Sequence, residues 1–127
     1  MIIAHKIRMY TNNAQDTYNK CACGTARFAY NWALVEWNKQ YQAHLVDNSL
    51  PLPSEISLRK QLNSIKKEQF PWMLNVTKCA PQMAIKNLGN AFKRFFKHES
   101  RYPQKKKKFK HDSYTLSNDH FSIEDNY

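Results

Sequence analysis

The sequence predicts a mainly α fold, a helical bundle with an N-terminal β-strand, and three observations carry that expectation. Only two of the 127 residues are glycine, far below the roughly 7% average, so an all-β design rich in tight turns is disfavoured. Hydrophobic residues make up 42% of the chain, enough for a core in one domain of this length. Apolar residues also recur at helical spacing in three separate stretches.

Residues 2–10 are the exception. Ile3, His5, Ile7 and Met9 alternate with Ala4, Lys6, Arg8 and Tyr10, the two-residue period of a strand. A lone strand is not stable, so it requires a pairing partner. Thr11, Asn12 and Asn13 can cap a short helix running to about Cys23, and Gly24 allows a kink or stop. From Thr25 to about Leu45 the chain is rich in aromatics: Phe28, Trp32 and Val35 form one helical stripe, and Tyr30, Leu34, Trp37 and Tyr41 an adjacent one. A helix apolar over so much of its circumference is expected at the centre of the bundle.

Pro51 and Pro53 mark a loop over residues 47–53. Ser54 can cap a further helix in which Leu58, Leu62 and Ile65 align, ended by Phe70-Pro71-Trp72. Pro81 suits a helix start, and the next pattern runs to about His98. At ~100° per residue, Leu88, Phe92, Phe95 and Phe96 fall together on the side opposite Lys86, Lys93, Arg94 and Lys97. Beyond Arg101 the chain reads as extended and basic, and Tyr114, Leu116 and Ser117 can begin a second strand able to pair with the first. The expected organisation is a strand over 1–10, a helical domain over 11–100, and a basic linker with that second strand over 101–127.

Charge points to the class of partner. The chain carries +10 net, and residues 86–110 hold ten Lys/Arg against the single acid Glu99. Core packing gives no reason for four cations on one helix face, whereas a polyanion does, with nucleic acid ahead of an acidic membrane surface. No apolar run approaches the 18 residues of a membrane span. Charges inside the N-terminal apolar patch argue against a secretory signal. Cys21, Cys23 and Cys79 have no framework spacing, which fits free thiols in a reducing cytoplasm.

Catalytic chemistry is not evident. Two-metal phosphodiester cleavage needs converging carboxylates, and the only acidic group, Asp112, Asp119, Glu124 and Asp125, lies in a tail. Cys21-x-Cys23 is too short for a zinc knuckle, His98-Glu99 does not continue into His-Glu-x-x-His, and Gly24 and Gly89 stand alone rather than in a phosphate-cradling loop. No cofactor, metal ligand or catalytic residue is assigned. The binding candidates are Lys86, Lys93, Arg94 and Lys97, then Arg101, Lys105, Lys106, Lys107 and Lys108, as backbone grips. Arg27 and Asn31 share one helix face. Arg27 is either half of a structural pair or a nucleic-acid contact, and Asn31 either satisfies a backbone group or joins it.

Several of these stretches together resemble one family. Lys6-Ile7-Arg8-Met9-Tyr10 with Gln15, and Gly24-Thr25-Ala26-Arg27-Phe28-Ala29-Tyr30-Asn31-Trp32-Ala33-Leu34, are similar to the opening strand and the Gly-x-x-Arg-Phe-x-Tyr-Asn-x-x-Leu signature of TnpB proteins. So are Pro71-Trp72-Met73, the series Gln82, Ala84, Leu88, Ala91, Phe92, Phe95, Phe96, and Tyr102-Pro103 before the lysines. Thr11 stands where that family has a proline. TnpB proteins are transposon-encoded RNA-guided DNA nucleases related to type V CRISPR effectors.

The resemblance implies an N-terminal recognition region whose opening strand belongs to a split wedge-like barrel. The family's RuvC-like nuclease core and four-cysteine zinc element are not in this sequence, so no enzymatic activity is expected of it. The implied partners are structured guide RNA, target DNA or their heteroduplex, together with the remainder of a parent nuclease, near the nucleoid and away from membranes. Pairing would read the target while protein reads backbone shape. Lys6 and Arg8 join the binding candidates on this ground and on the strand's outward face. Two other functions fit the residues: a stand-alone helix-turn-helix DNA-binding regulator, and a helical protein-interaction module using exposed aromatics.

Overall fold

Asn12 begins the first helix. Its side-chain oxygen accepts from the Gln15 amide at 2.9 Å while the Gln15 side chain accepts from the Asn12 amide at 3.0 Å, a reciprocal cap that satisfies two otherwise orphaned donors. From there α1 spans Asn13–Val46 in the computed structural model, which describes residues 2–117, 121 and 122. At 34 residues it is about 50 Å long. Asp47 ends it, and the exposed Asp47 carboxylate, accepting from the Ser49 hydroxyl at 2.7 Å and amide at 3.0 Å, is held below its ordinary pKa by those bonds.

Gly24, which allows a kink or a stop, does not stop the helix. A helical glycine costs about 1 kcal/mol relative to alanine, and burial of Ala22, Thr25, Ala26 and Ala29 around it outweighs that cost. A Cβ at Gly24 would meet nothing nearer than the Arg27 Nη2 atom at 3.6 Å. Gly24→Ala is therefore expected to raise stability by about 0.5–1 kcal/mol.

Helix α2 (Glu55–Gln69) starts at Ser54, whose hydroxyl accepts from the Ser57 amide at 3.1 Å. It buries Leu58 and Leu62, with Ile65 packed against the core. Phe70 caps its end, and Pro71–Asn75 forms a 3₁₀ turn that buries Met73. Helix α3 (Cys79–Phe96) lies mainly on α1 and buries Ala80, Ala84, Ile85, Leu88 and Phe92. It ends in paired bonds, Glu99 amide to Arg94 carbonyl at 2.9 Å and His98 amide to Phe95 carbonyl at 3.0 Å, with His98 left-handed at φ 62° where glycine is usual.

Gly89 is where α2 and α3 meet. A Cβ there would come within 2.9 Å of the Glu55 Cβ and 3.0 Å of its Cγ, so the α2 start must move to admit it. Gly89→Ala is expected to cost about 1–3 kcal/mol despite its better helix propensity. Denaturant melts of the two glycine variants should shift in opposite directions.

The core differs from the aromatic stripes the sequence suggests. Its α1 face is a run of small residues, Ala22, Ala26, Ala29 and Ala33, flanked by Tyr30 and Leu34. Alanines let α3 approach closely, with Ala80 and Ala84 opposite. Phe28, Trp32 and Trp37 pack from the margins, and Val35 and Tyr41 are exposed. Similarly, Leu88 and Phe92 are buried on α3, but Phe96, at the helix end, is 60% exposed.

The expected strands are not formed. Residues 2–11 are exposed and make no ladder, because no second strand lies among the described residues to satisfy their backbone groups. The candidate partner at Tyr114–Ser117 is committed elsewhere: Tyr114 packs on the core and its hydroxyl donates to Asn19 at 2.7 Å. The wedge-like barrel is accordingly absent from the described residues. Asp119, His120, Glu124 and Asp125 lie outside them.

Candidate nucleic-acid interface

Residues 101–117 are not a free linker. They run back along α1 as a strap, meeting it at successive turns. The Tyr102 hydroxyl donates to Asn38, Lys106 pairs with Asn31, Asp112 with Arg27, and Tyr114 with Asn19. The ~19 helical residues between Asn38 and Asn19 rise about 28 Å, whereas the ~12 strap residues can span about 40 Å. A turn takes up the slack. There the Lys110 amide donates to the Lys107 carbonyl at 3.3 Å, and Phe109 and His111 adopt φ of 65° and 57°.

Asn31 is the central anchor. Its amide donates to the Lys106 carbonyl at 3.0 Å and its oxygen accepts from the Lys106 amide at 2.7 Å, so both backbone groups of that strap residue are satisfied by one side chain. Arg27 Nη1 lies 3.3 Å from Asp112 Oδ1. Both residues thus have intramolecular partners and position the strap. Asn31→Ala removes two hydrogen bonds, each worth about 0.5–1.5 kcal/mol. Amide exchange at Lys106 is expected to accelerate at least tenfold while α3 amides keep their protection.

The strap also meets α3, where Tyr102 packs edge to face on Phe92 and Phe95. The Lys106 ammonium sits 4.7 Å above the Tyr30 ring, a cation–π contact. Burial raises the Tyr30 pKa, partly offset by the nearby Arg94 guanidinium, so the phenol stays neutral at physiological pH. Lys106 covers the face of Tyr30, and the positive charge of Arg94 on α3 acts on the same phenol. Asn87, neighbour of Lys86 on α3, lines the same cleft as Lys106, Lys107 and Lys110.

Lys86, Lys93, Arg94 and Lys97 are all exposed, as are Arg101, Lys105, Lys106, Lys107 and Lys108. Among the described residues none of these nine is in an ion pair, the pairs being Lys20–Asp16, Arg27–Asp112, Lys39–Glu36 and Arg59–Glu55. Lys6 and Arg8 are exposed on the N-terminal arm, with Arg8 5.5 Å from the Tyr10 ring centroid. Among the described residues no hydrogen bond or ion pair ties that arm to α3.

Two features escape sequence reasoning. The pairs that dock the strap join residues 64 to 95 apart, and asparagine carries no signal of its distant partner. An open groove lined by Phe28, Trp32, Trp72 and Lys105 also forms beside α1. Their aromatic content was visible but not their convergence. Among the described residues no group of His, Cys, Asp or Glu could hold a metal ion, and no helix is long and apolar enough to cross a membrane. The three cysteines are free, and burial, followed by the nearby Asp112 carboxylate, raises the Cys23 thiol pKa.

Residues 1–45 match the family model of the helix-turn-helix domain of IS605 OrfB. No curated protein matches the chain. Of the matched residues, 2–11 are an exposed arm and the helical part is one continuous stretch of α1, so no turn between two helices occurs within them. The match covers 45 of the 127 residues, and over this stretch the chain is similar to the N-terminal helix-turn-helix region of the IS605 OrfB, or TnpB, transposases.

Proposed function

We propose that this chain is the nucleic-acid-binding N-terminal portion of a TnpB-like, transposon-associated RNA-guided DNA endonuclease, contributing no catalysis of its own. It grips the guide RNA and target DNA backbone through the outward face of α3 and the lysines of the strap. The observation that carries this reading is the exposure of Lys86, Lys93, Arg94, Lys97 and Lys105–Lys108, none of which is in an ion pair among the described residues, with Lys106 held over Tyr30. Unpaired cations on a rigid frame release counterions when they meet phosphates, which gives affinity without sequence. In this reading base pairing supplies the sequence specificity, and no base-reading side chain is needed on the basic surface.

A stand-alone helix-turn-helix regulator is the runner-up. It requires a separate recognition helix to enter the major groove, and the unbroken α1 offers none within the matched residues. The discriminating experiment is binding to structured RNA, duplex DNA and an RNA–DNA heteroduplex across a salt series. Preference for structured RNA or heteroduplex is expected, with affinity falling steeply as salt rises. A sequence-specific footprint on duplex DNA would transfer the assignment to the regulator.

A further inference from the structure

On the flank of α1 away from its alanine face lies an open groove of about 530 Å³, within the size range of small-molecule and base-sized sites. It is lined by Phe28, Trp32 and Val35 of α1, with the strap-bound Arg27 and Asn31 beside them, by Trp72 of the 3₁₀ turn, and by Lys105 of the strap. Phe28 and Phe70 hold the Trp72 ring edge to face, at 80° and 63°. Among the described residues no ring is stacked parallel on Trp72 or Trp32, in contrast to Trp37, whose face lies at 11° on Phe92. Trp72 is 43% exposed. The groove therefore holds aromatic surface without a stacking partner.

Charge selects the occupant. Lys105 is exposed and in no ion pair among the described residues, and its place is set by the neighbouring Lys106, clamped by Asn31. A second copy of the chain would bring another cationic rim against this one. An apolar peptide would leave the ammonium without a counter-charge. A nucleotide satisfies both elements at once, its base against the rings and its phosphate at Lys105.

We propose that the groove takes an unstacked base of a single-stranded nucleic-acid segment, stacked on Trp72 and Trp32, with Lys105 holding an adjoining phosphate. The inference rests on the nucleic-acid reading above but concerns a surface distinct from the α3 face. It assigns to this flank a contact with bases, where the α3 face contacts backbone alone.

The test compares a short oligothymidylate with an abasic strand of the same length, by fluorescence anisotropy on the full chain. Wild type is expected to prefer the base-bearing strand by ~5- to 100-fold. Trp72→Leu should abolish that preference while leaving abasic binding unchanged, and Lys105→Gln should weaken both strands alike. Circular dichroism establishes that each variant is folded. Wild type alone supplies a second readout, since oligothymidylate should shield tryptophan emission from acrylamide and the abasic strand should not. Equal affinity for the two strands would overturn the base site while leaving the basic surface intact. Failure to bind either at low salt would bring down both readings. Concentration-dependent self-association that shields the tryptophans would assign the groove to a second copy and overturn the proposal.

Discussion

Removing the four cations of the α3 face is expected to flatten the salt dependence of nucleic-acid binding. Each phosphate contact contributes roughly 0.9 to the slope of log K against log salt on duplex DNA and roughly 0.7 on a single strand. A variant with glutamine at Lys86, Lys93, Arg94 and Lys97 should therefore lose about 3.6 and about 2.8, respectively. Between 50 and 200 mM salt, wild-type affinity for duplex should fall about a hundredfold more than that of the variant. Stability should hardly change. All four side chains are exposed and outside any ion pair among the described residues, and such surface substitutions usually shift stability by no more than about 0.5 kcal/mol. An unchanged slope would confine the grip to the strap and remove α3 from the interface.

Phe92→Ala is expected to have the largest effect on stability, about 3–5 kcal/mol. That is a large share of the roughly 5–15 kcal/mol available to a domain. Phe92 is 2% exposed, stacks on Trp37 at 4.3 Å between ring centroids, and takes the edge of Tyr102 at 5.4 Å. Truncation leaves a cavity between α1 and α3 and takes away part of the seat of the strap's first anchor. Urea unfolding followed by circular dichroism measures the loss. Trp37 emission should shift in the native baseline, because its stacking partner is gone. A cost below about 1 kcal/mol would show that Phe92 is not a centre of the core.

Local signals were legible because they act within a few residues. Asn12 and Ser54 cap the helices they were expected to cap, each closing bonds three positions away. Proline at positions 51, 53 and 71 falls in the breaks between helices, and the basic stripe on α3 follows from the helical period alone. Composition misled where size mattered more than hydrophobicity. The aromatics of α1 drew attention to its margins, yet closeness of approach to α3 made Ala26, Ala29 and Ala33 the buried face. Gly24 misled similarly, since a local cost of about 1 kcal/mol could not be weighed against burial not yet known.

The candidate interface divides along the same line. Lys86, Lys93 and Arg94 of α3, and Lys97 just past its end, are all exposed, on the side that the helical period assigns them. The strap was read as extended and basic, but its docking depended on contacts such as Asn31 with Lys106, 75 residues apart. The alternation in residues 2–10 is a true property of the sequence, but a strand exists only when a second supplies its hydrogen bonds, and none does so among the described residues.

By itself the sequence determined the helical class, the helix starts and breaks, and the polarity of α3, because capping, ring constraint and periodicity are local. The tertiary structure decided which residues form the core, that α1 runs unbroken, and that the lysine-bearing strap docks along α1. Those outcomes depend on the free energy of distant groups meeting, a quantity that no window of sequence contains.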